Sequence, residues 1–148
     1  MDLIEFLRAR LAEDEVRANA AASALLYVGE TEPEFDWTFG ENEPEGFTVR
    51  TISEKRVARD VYDDTAMHIA RHDPARVLRE VEAKRRILAE HDHTTVHIWH
   101  DRSKDFEICT ACGAGSDDQG CIPWPCDTVK LLALPYSDHP DYNEAWRP

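Results

Sequence analysis

The N-terminal segment has apolar residues at helical spacing. Leu3, Leu7 and Leu11 recur at every fourth position, which places them along one face of a helix. Asp2 and Glu5, three positions apart, form the pattern of an N-terminal capping box. An alanine-rich stretch then carries helical propensity to about residue 25 or 26, and the first glycine of the chain ends it. The pattern therefore predicts a long amphipathic helix at the start of the chain.

The middle of the chain predicts two more helices. The first covers residues 53–71, where the apolar residues available for burial are Val57, Val61, Met67 and Ile69. The second covers residues 74–90, because Asp73 can cap a helix whose first residue is Pro74. Its apolar residues follow at helical spacing, namely Val77, Leu78, Val81 and Leu88.

Between the first two helices the chain becomes acidic and aromatic. Residues 29–46 contain seven acidic side chains and no basic one. Phe35, Trp37 and Phe39 alternate with polar residues, and so do Phe47 and Val49, which indicates strands. A short β-hairpin is the favoured interpretation of this region, and a mobile acidic loop is the alternative.

After residue 91 the apolar period shortens to two. Val96 and Ile98, then Phe106 and Ile108, predict two short strands on either side of a polar turn at residues 101–104. A final helix begins at Asp127 or Thr128 and is limited by Pro135. The aromatic residues of the C-terminal segment are expected to pack it onto the body of the protein: Tyr136, Tyr142 and Trp146.

These elements predict an α+β fold that is predominantly helical. We expect a single small domain over residues 1–148, with a helical body at 1–91. Residues 94–148 would form a β-hairpin, a zinc-knuckle-like metal-binding part and the final helix.

The net charge and the lack of long apolar runs argue against two classes of function, nucleic-acid binding and membrane association. The chain has 148 residues and a formal net charge of −13, so phosphates would be repelled and we expect no direct binding to nucleic acid. We find no apolar run long enough to span a membrane, and the N-terminal residues lack the pattern of a signal peptide. We therefore expect a cytoplasmic protein that does not associate with membranes.

All four cysteines fall within one short window: Cys109, Cys112, Cys121 and Cys126. The first two form a C-x2-C pair, which can hold one metal ion from a tight turn, and we expect the glycine after it to adopt the left-handed conformation of such a knuckle. The spacing predicts one structural Zn²⁺ per chain. Cys121 is the favoured fourth ligand, and His91 is the alternative, since imidazole also suits zinc.

Other uses of the cysteines remain open. A reducing compartment disfavours disulfides, and a redox C-x-x-C motif would need a βαβ context that the pattern lacks. Four packed, unligated thiols are a further possibility, and spacing alone does not separate zinc from an iron–sulfur cluster.

The histidines provide an alternative function. His68 and His72 are four residues apart, but Ile69 stands where the H-E-x-x-H metalloprotease motif has its glutamate. A second, catalytic metal site could use histidines with Asp92 or Asp101 and make the protein a metal-dependent hydrolase or nuclease. Its candidate ligands are His91, His93, His97 and His100.

No phosphate-binding loop or nucleophile elbow occurs in the chain. The favoured function is therefore a non-enzymatic, zinc-stabilised binding or regulatory module that acts through a protein partner. Residues 30–45 and the basic face of the helix at 74–90 are the candidate contact surfaces. An acidic inhibitor that mimics DNA, of the kind some phages encode, is a further alternative.

Two segments carry a resemblance to a known family: HIARHDPARVLREVEAKRRILAEH at residues 68–91 and TVKLLALPYSDHPDYNEAWRP at residues 128–148. With them, the chain resembles a family of small proteins of unknown function from actinobacteria and their phages. The resemblance implies a bacterial cytosolic setting and a common role for Cys109, Cys112 and Cys126. Cys121 is not part of the family pattern, and His91 remains the alternative ligand.

Overall fold

A computed structural model describes residues 1–26, 29, 31–42, 46–97, 105–113 and 122–148. The α+β fold is confirmed, with four helices and two small antiparallel sheets among these residues. The elements in chain order are α1 (Leu3–Ser23), β1 (Trp37–Asn42), β2 (Gly46–Thr51), β3 (Arg56–Val61), α2 (Asp63–Arg71), α3 (Pro74–Glu90), β4 (His93–His97), β5 (Asp105–Cys109) and α4 (Asp127–Ala133). Two short 3₁₀ segments follow, at Leu134–Tyr136 and Glu144–Trp146.

The predicted caps are present at the starts of α1 and α3. The Glu5 amide donates to Asp2 Oδ1 at 2.8 Å, and the Asp2 amide donates to Glu5 Oε2 at 3.1 Å, which completes the capping box. The Arg76 amide donates to Asp73 Oδ1 at 2.7 Å. Both caps satisfy backbone donors that a helix cannot pair internally.

Both strands of the hairpin predicted for the acidic region are present, and residues 43–45 between them lie outside the described residues. Strands β1 and β2 pair antiparallel, from Trp37 opposite Thr51 to Asn42 opposite Gly46. The helix predicted over residues 53–71 is wrong in its first half, because β3 occupies Arg56–Val61 and only α2 is helical. These residues form a strand because they pair with β2: Ala58 lies opposite Val49, and β3 is the third strand of the sheet. Tertiary pairing thus overrides the local helical pattern.

The strands and the helix of the C-terminal third also occur in the predicted order. Strands β4 and β5 pair antiparallel from His93 opposite Cys109 to His97 opposite Asp105. The predicted turn at residues 101–104 lies outside the described residues. Helix α4 begins at Asp127, and the chain continues into a 3₁₀ turn that contains Pro135.

The described chain divides into two compact units. The first unit contains residues 1–11 and 83–148, and the second contains residues 12–82. The prediction of one domain with a division near residue 91 stays a prediction.

The first unit has a small core around Phe6, which is fully buried. Its ring lies 5.0 Å from the Trp146 ring and 6.0 Å from the Tyr142 ring, measured between centroids. The C-terminal segment is therefore packed onto the first turns of α1, as its aromatic residues predicted. The remaining buried members of this core are Leu3, Leu7, Cys109, Cys126, Val129 and Ala133.

The second unit has smaller buried side chains. Val49 and Ala66 are fully buried, and Val81 nearly so. Ion pairs supplement this packing, as between Lys55 Nζ and Glu34 Oε1 at 2.8 Å. Among the described helices, none combines the length and apolar character needed to cross a bilayer.

Candidate metal centre

Four side chains meet in the first unit, and they come from the end of a helix, the end of a strand, the turn after that strand and the residue before another helix. His91 follows α3, and its amide still donates to the Ile87 carbonyl at 3.0 Å, as in a last helical turn. Cys109 is the last residue of β5, and Cys112 lies in the turn after it. Cys126 immediately precedes α4. The ligand atoms of these four residues all lie within 4.8 Å of one another.

The His91 ring is equidistant from three sulfur atoms. Its Nδ1 atom lies 3.4 Å from Cys109 Sγ, 3.4 Å from Cys112 Sγ and 3.5 Å from Cys126 Sγ. One N–H proton can serve only one sulfur well, whereas a cation can be shared by all four atoms. Zn–S distances of about 2.3 Å and Zn–N distances of about 2.0–2.1 Å place N and S about 3.5–3.6 Å apart in a tetrahedron. The observed distances therefore fit a tetrahedral metal centre.

The turn between Cys109 and Cys112 needs a glycine after it, but for a different reason from the predicted one. Gly113 is not among the described residues with positive φ, so the expected left-handed conformation is wrong. A Cβ atom at this position would instead lie 2.5 Å from the Cys109 carbonyl oxygen. The Gly113 amide donates to that same oxygen at 2.7 Å. Close approach of two backbone segments thus explains the glycine.

Thr110 ties this turn to the end of α3. Its amide donates to the Asp92 carbonyl at 2.8 Å, and its hydroxyl donates to the Glu90 and Asp92 carbonyls at 3.1 and 3.0 Å. These bonds connect the residues on both sides of His91 to the residue after Cys109. The imidazole is thereby positioned by hydrogen bonds from Thr110 to backbone carbonyls, and these bonds do not depend on a metal.

The segment before Cys126 runs beside β5. The Cys109 amide donates to the Ile122 carbonyl at 3.2 Å, and the Trp124 amide donates to the Glu107 carbonyl at 3.0 Å. An antiparallel bridge joins Ile108 and Pro123. Pairing with β5 therefore places Cys126 close to Cys109 and Cys112.

The site lies at the edge of the core. Cys109 and Cys126 are 0% and 2% exposed, and Cys112 is half-buried. Both buried cysteines belong to the core cluster that contains Phe6 and Val129. Water therefore has little access to two of the three sulfur atoms.

The thiols differ in acidity. Desolvation raises the pKa of Cys109, but hydrogen bonds from the Cys112 amide, His91 and the Ala111 amide outweigh it and lower the pKa to about 7. Desolvation, followed by the neighbouring Cys109 and Cys126, raises the pKa of Cys112 to about 11. Three thiolates in one place repel one another, so full ionisation needs a cation among them.

The structure brings together four of the five residues predicted as ligands of the structural zinc. Cys109, Cys112, Cys126 and His91 could hold a metal ion, and the three described cysteines form no disulfide. Cys121, the favoured fourth ligand, lies outside the described residues. The sequence signal for His91 is its place at a helix end directly before the strand that pairs with β5.

Among the other histidine side chains that the structure describes, none joins this cluster. His93 stacks on Trp124, with ring centroids 5.5 Å apart. The rings of His68, on α2, and His72, the residue after α2, lie 4.5 Å apart. The His97 side chain, His100 and Asp101 lie outside what the structure describes. Within the described part of the chain, no second cluster of three or more possible ligands is found.

Comparison with known proteins gives a family without an assigned activity. A family of unknown function (DUF6221) has a model that matches residues 1–148. The chain belongs to this family. No curated protein and no solved structure matches the chain. The predicted membership in a family of unknown function is confirmed, and the actinobacterial or phage origin stays a prediction.

Proposed function

We propose that the protein binds one structural Zn²⁺ through Cys109, Cys112, Cys126 and His91. The observation that supports this is the near-equal distance of His91 Nδ1 from the three sulfur atoms, at 3.4, 3.4 and 3.5 Å. Three thiolates and one imidazole are a common ligand set for structural zinc. Four protein donors leave no coordination position for a substrate or a reactive water.

His91 replaces Cys121 as the favoured fourth ligand in this proposal. The pattern of the family that the chain resembles does not include Cys121, whereas the hydrogen bonds of Thr110 position His91 beside the other ligands. A site with three thiolates also needs a reducing environment, which favours the cytoplasm.

We further propose that the protein is a non-enzymatic module that binds or regulates a partner protein. A closed ligand set favours a structural role for the metal over a catalytic one. The sequence adds no nucleophile or phosphate-binding motif from which an activity could be built. The site therefore stabilises the fold, and function depends on surfaces.

Metal analysis with two matched variants tests the ligand set. Purified protein should contain one zinc per chain, and X-ray absorption should show three sulfur neighbours and one nitrogen neighbour. His91→Ala should lower zinc affinity at least about tenfold, whereas Cys121→Ser should keep one zinc with an unchanged spectrum. Four sulfur neighbours, or loss of zinc only in Cys121→Ser, would show that the fourth ligand is misassigned.

The same preparation tests the metal-dependent hydrolase alternative. Added Mn²⁺ or Mg²⁺ should produce no nuclease or esterase activity in zinc-loaded protein. Metal-dependent turnover that survives in Cys109→Ser would require a second site and would contradict the non-enzymatic proposal.

A further inference from the structure

Two histidines at the end of α2 do not belong to the cluster of the candidate metal centre. His68 and His72 are four residues apart, so a helical backbone places their side chains on the same face. The helical turn extends through His72, because its amide donates to the His68 carbonyl at 3.1 Å and to the Ile69 carbonyl at 3.2 Å. The two ring centroids lie 4.5 Å apart, with an angle of 42° between the ring planes. The backbone therefore holds two imidazoles side by side.

Both imidazoles are accessible to an external ligand. The two residues are exposed, and within the described part of the chain neither ring forms a hydrogen bond or an ion pair. His93 differs, because its ring stacks on Trp124 and its Nδ1 atom lies 3.2 Å from Asp92 Oδ1. Neutral imidazole nitrogens are ligands for transition metals. The pair thus offers two metal ligands on one helical face, an arrangement that H-E-x-x-H zinc sites also use.

The chemistry of the pair favours a metal site with open coordination positions. Zn–N bonds of about 2.0–2.1 Å require the two ligand nitrogens to lie within about 4.2 Å of each other. Rings whose centroids are 4.5 Å apart can meet this requirement by rotation. Two protein ligands leave the other coordination positions to water. Tetragonal coordination by nitrogen and oxygen is characteristic of Cu²⁺ and Ni²⁺.

The charges around the pair cancel. His68 lines a groove of about 620 Å³, and His72 lines a smaller groove of about 260 Å³. Each lining contains one acidic and one basic side chain: Asp64 and Arg71 in the first groove, and Asp14 and Arg17 in the second. The affinity for a cation therefore has to come from the imidazole nitrogens. Mg²⁺ and Ca²⁺ prefer oxygen ligands, so this site disfavours them.

We propose that His68 and His72 form a second metal site, which binds one Cu²⁺ or Ni²⁺ ion through two imidazole nitrogens and water. Two protein ligands and open positions make this ion exchangeable, in contrast to an ion held by the four ligands of the metal centre. The ion lies beside Trp37, since that side chain lines both the groove next to His68 and the groove next to His72. The proposal uses only residues of the second unit and does not depend on the proposed zinc.

Calorimetric titration of the full-length protein, as purified, with Ni²⁺ tests the proposal. One Ni²⁺ per chain should bind without loss of zinc, and Ca²⁺ should not compete. His68→Ala and His72→Ala should each weaken Ni²⁺ binding at least about tenfold. His93→Ala is the matched control and should bind like wild type, since the His93 ring stacks on Trp124 rather than on a second imidazole. Absence of Ni²⁺ binding, displacement of zinc as the sole effect, or equal affinity in the three variants would overturn the proposal.

Tryptophan fluorescence tests where the ion binds. A paramagnetic ion quenches a nearby indole, so Ni²⁺ should quench part of the emission over the concentration range in which it binds. Trp37→Phe should keep Ni²⁺ binding and lose this quenching. The substitution removes no hydrogen bond of the indole, because Trp37 Nε1 has no partner among the described residues. In His93→Ala the quenching should persist. Quenching that is unchanged in Trp37→Phe would mean that the ion binds elsewhere and would contradict the proposed site.

Discussion

The two units of the protein are stabilised in different ways. Among its described residues, the first unit has few large buried side chains, chiefly Phe6 and Leu7, and two of its core positions are cysteines of the candidate metal centre. The second unit relies on a three-stranded sheet, small buried side chains and paired polar groups. A small core gains most from a metal that links distant parts of the chain, because metal binding then supplies folding free energy.

Removal of a buried ligand should have the largest effect. Cys109→Ser is expected to lose zinc and to unfold the first unit, since structural zinc contributes about 10–16 kcal/mol in zinc-finger peptides. Metal analysis and hydrogen exchange would measure this, with exchange protection lost in residues 83–148 and retained in the sheet of the second unit. Loss of protection in both units together would show that the units are not stabilised separately. A variant that melts like wild type would contradict the structural role of the metal.

A glycine in each unit provides the next comparison. Gly113→Ala should destabilise the first unit by about 1–3 kcal/mol and weaken zinc binding, because the new Cβ meets the Cys109 carbonyl oxygen. At Gly40 in β1, an added Cβ would have no neighbouring atom within 4 Å, so Gly40→Ala should change stability by less than about 1 kcal/mol. Thermal melts of zinc-loaded proteins would measure both. Equal losses of stability in the two variants would show that the close contact with the Cys109 carbonyl is not the reason for a glycine at position 113.

Each unit contains an aspartate that caps a helix, so removing each cap compares the two units through the same kind of interaction. Asp73→Ala removes a cap of α3 and also leaves the Trp37 amide without its acceptor, so we expect a loss of about 2 kcal/mol. Asp2→Ala removes an exposed cap of α1, with an expected loss of about 1 kcal/mol. Urea denaturation would measure the two values. A larger loss for Asp2→Ala would mean that the Trp37 bond contributes nothing.

The smallest expected effect is a pH dependence in the second unit. Hydrogen bonds from Lys55 and then from Ser53 lower the pKa of Glu34 from 4.5 to about 2. A carboxyl group with a lowered folded-state pKa stabilises the fold above pH 4.5, and this contribution is lost as the pH falls toward 2. The stability difference between wild type and Glu34→Gln should therefore shrink across that interval. A difference that is constant with pH would show that the ion pair between Glu34 and Lys55 does not stabilise the fold.

The sequence predicted elements whose signals are local. The capping box of Asp2 and Glu5, the start of α3 after Asp73 and the hairpin strands around Phe39 follow from spacing that neighbouring residues alone satisfy. The cysteine window likewise identified three members of the candidate site, because a C-x2-C turn is a local pattern.

Other features depended on residues distant in the sequence. Residues 56–61 have apolar positions that suit a helix, and only pairing with β2 makes them a strand. The predicted role of Gly113 was wrong, because close approach to the Cys109 carbonyl is a property of the folded turn.

By itself, the sequence determined the starts of α1 and α3, the acidic character and the clustering of thiols, because each of these is set within a few residues. Tertiary structure alone decided that His91 lies within 3.4–3.5 Å of three sulfur atoms. That arrangement requires the end of α3, strand β5 and the segment before α4 to meet through hydrogen bonds to backbone carbonyls, donated by backbone amides and by the Thr110 hydroxyl. The fold decides which distant carbonyls these donors reach, so no spacing along the chain specified the arrangement.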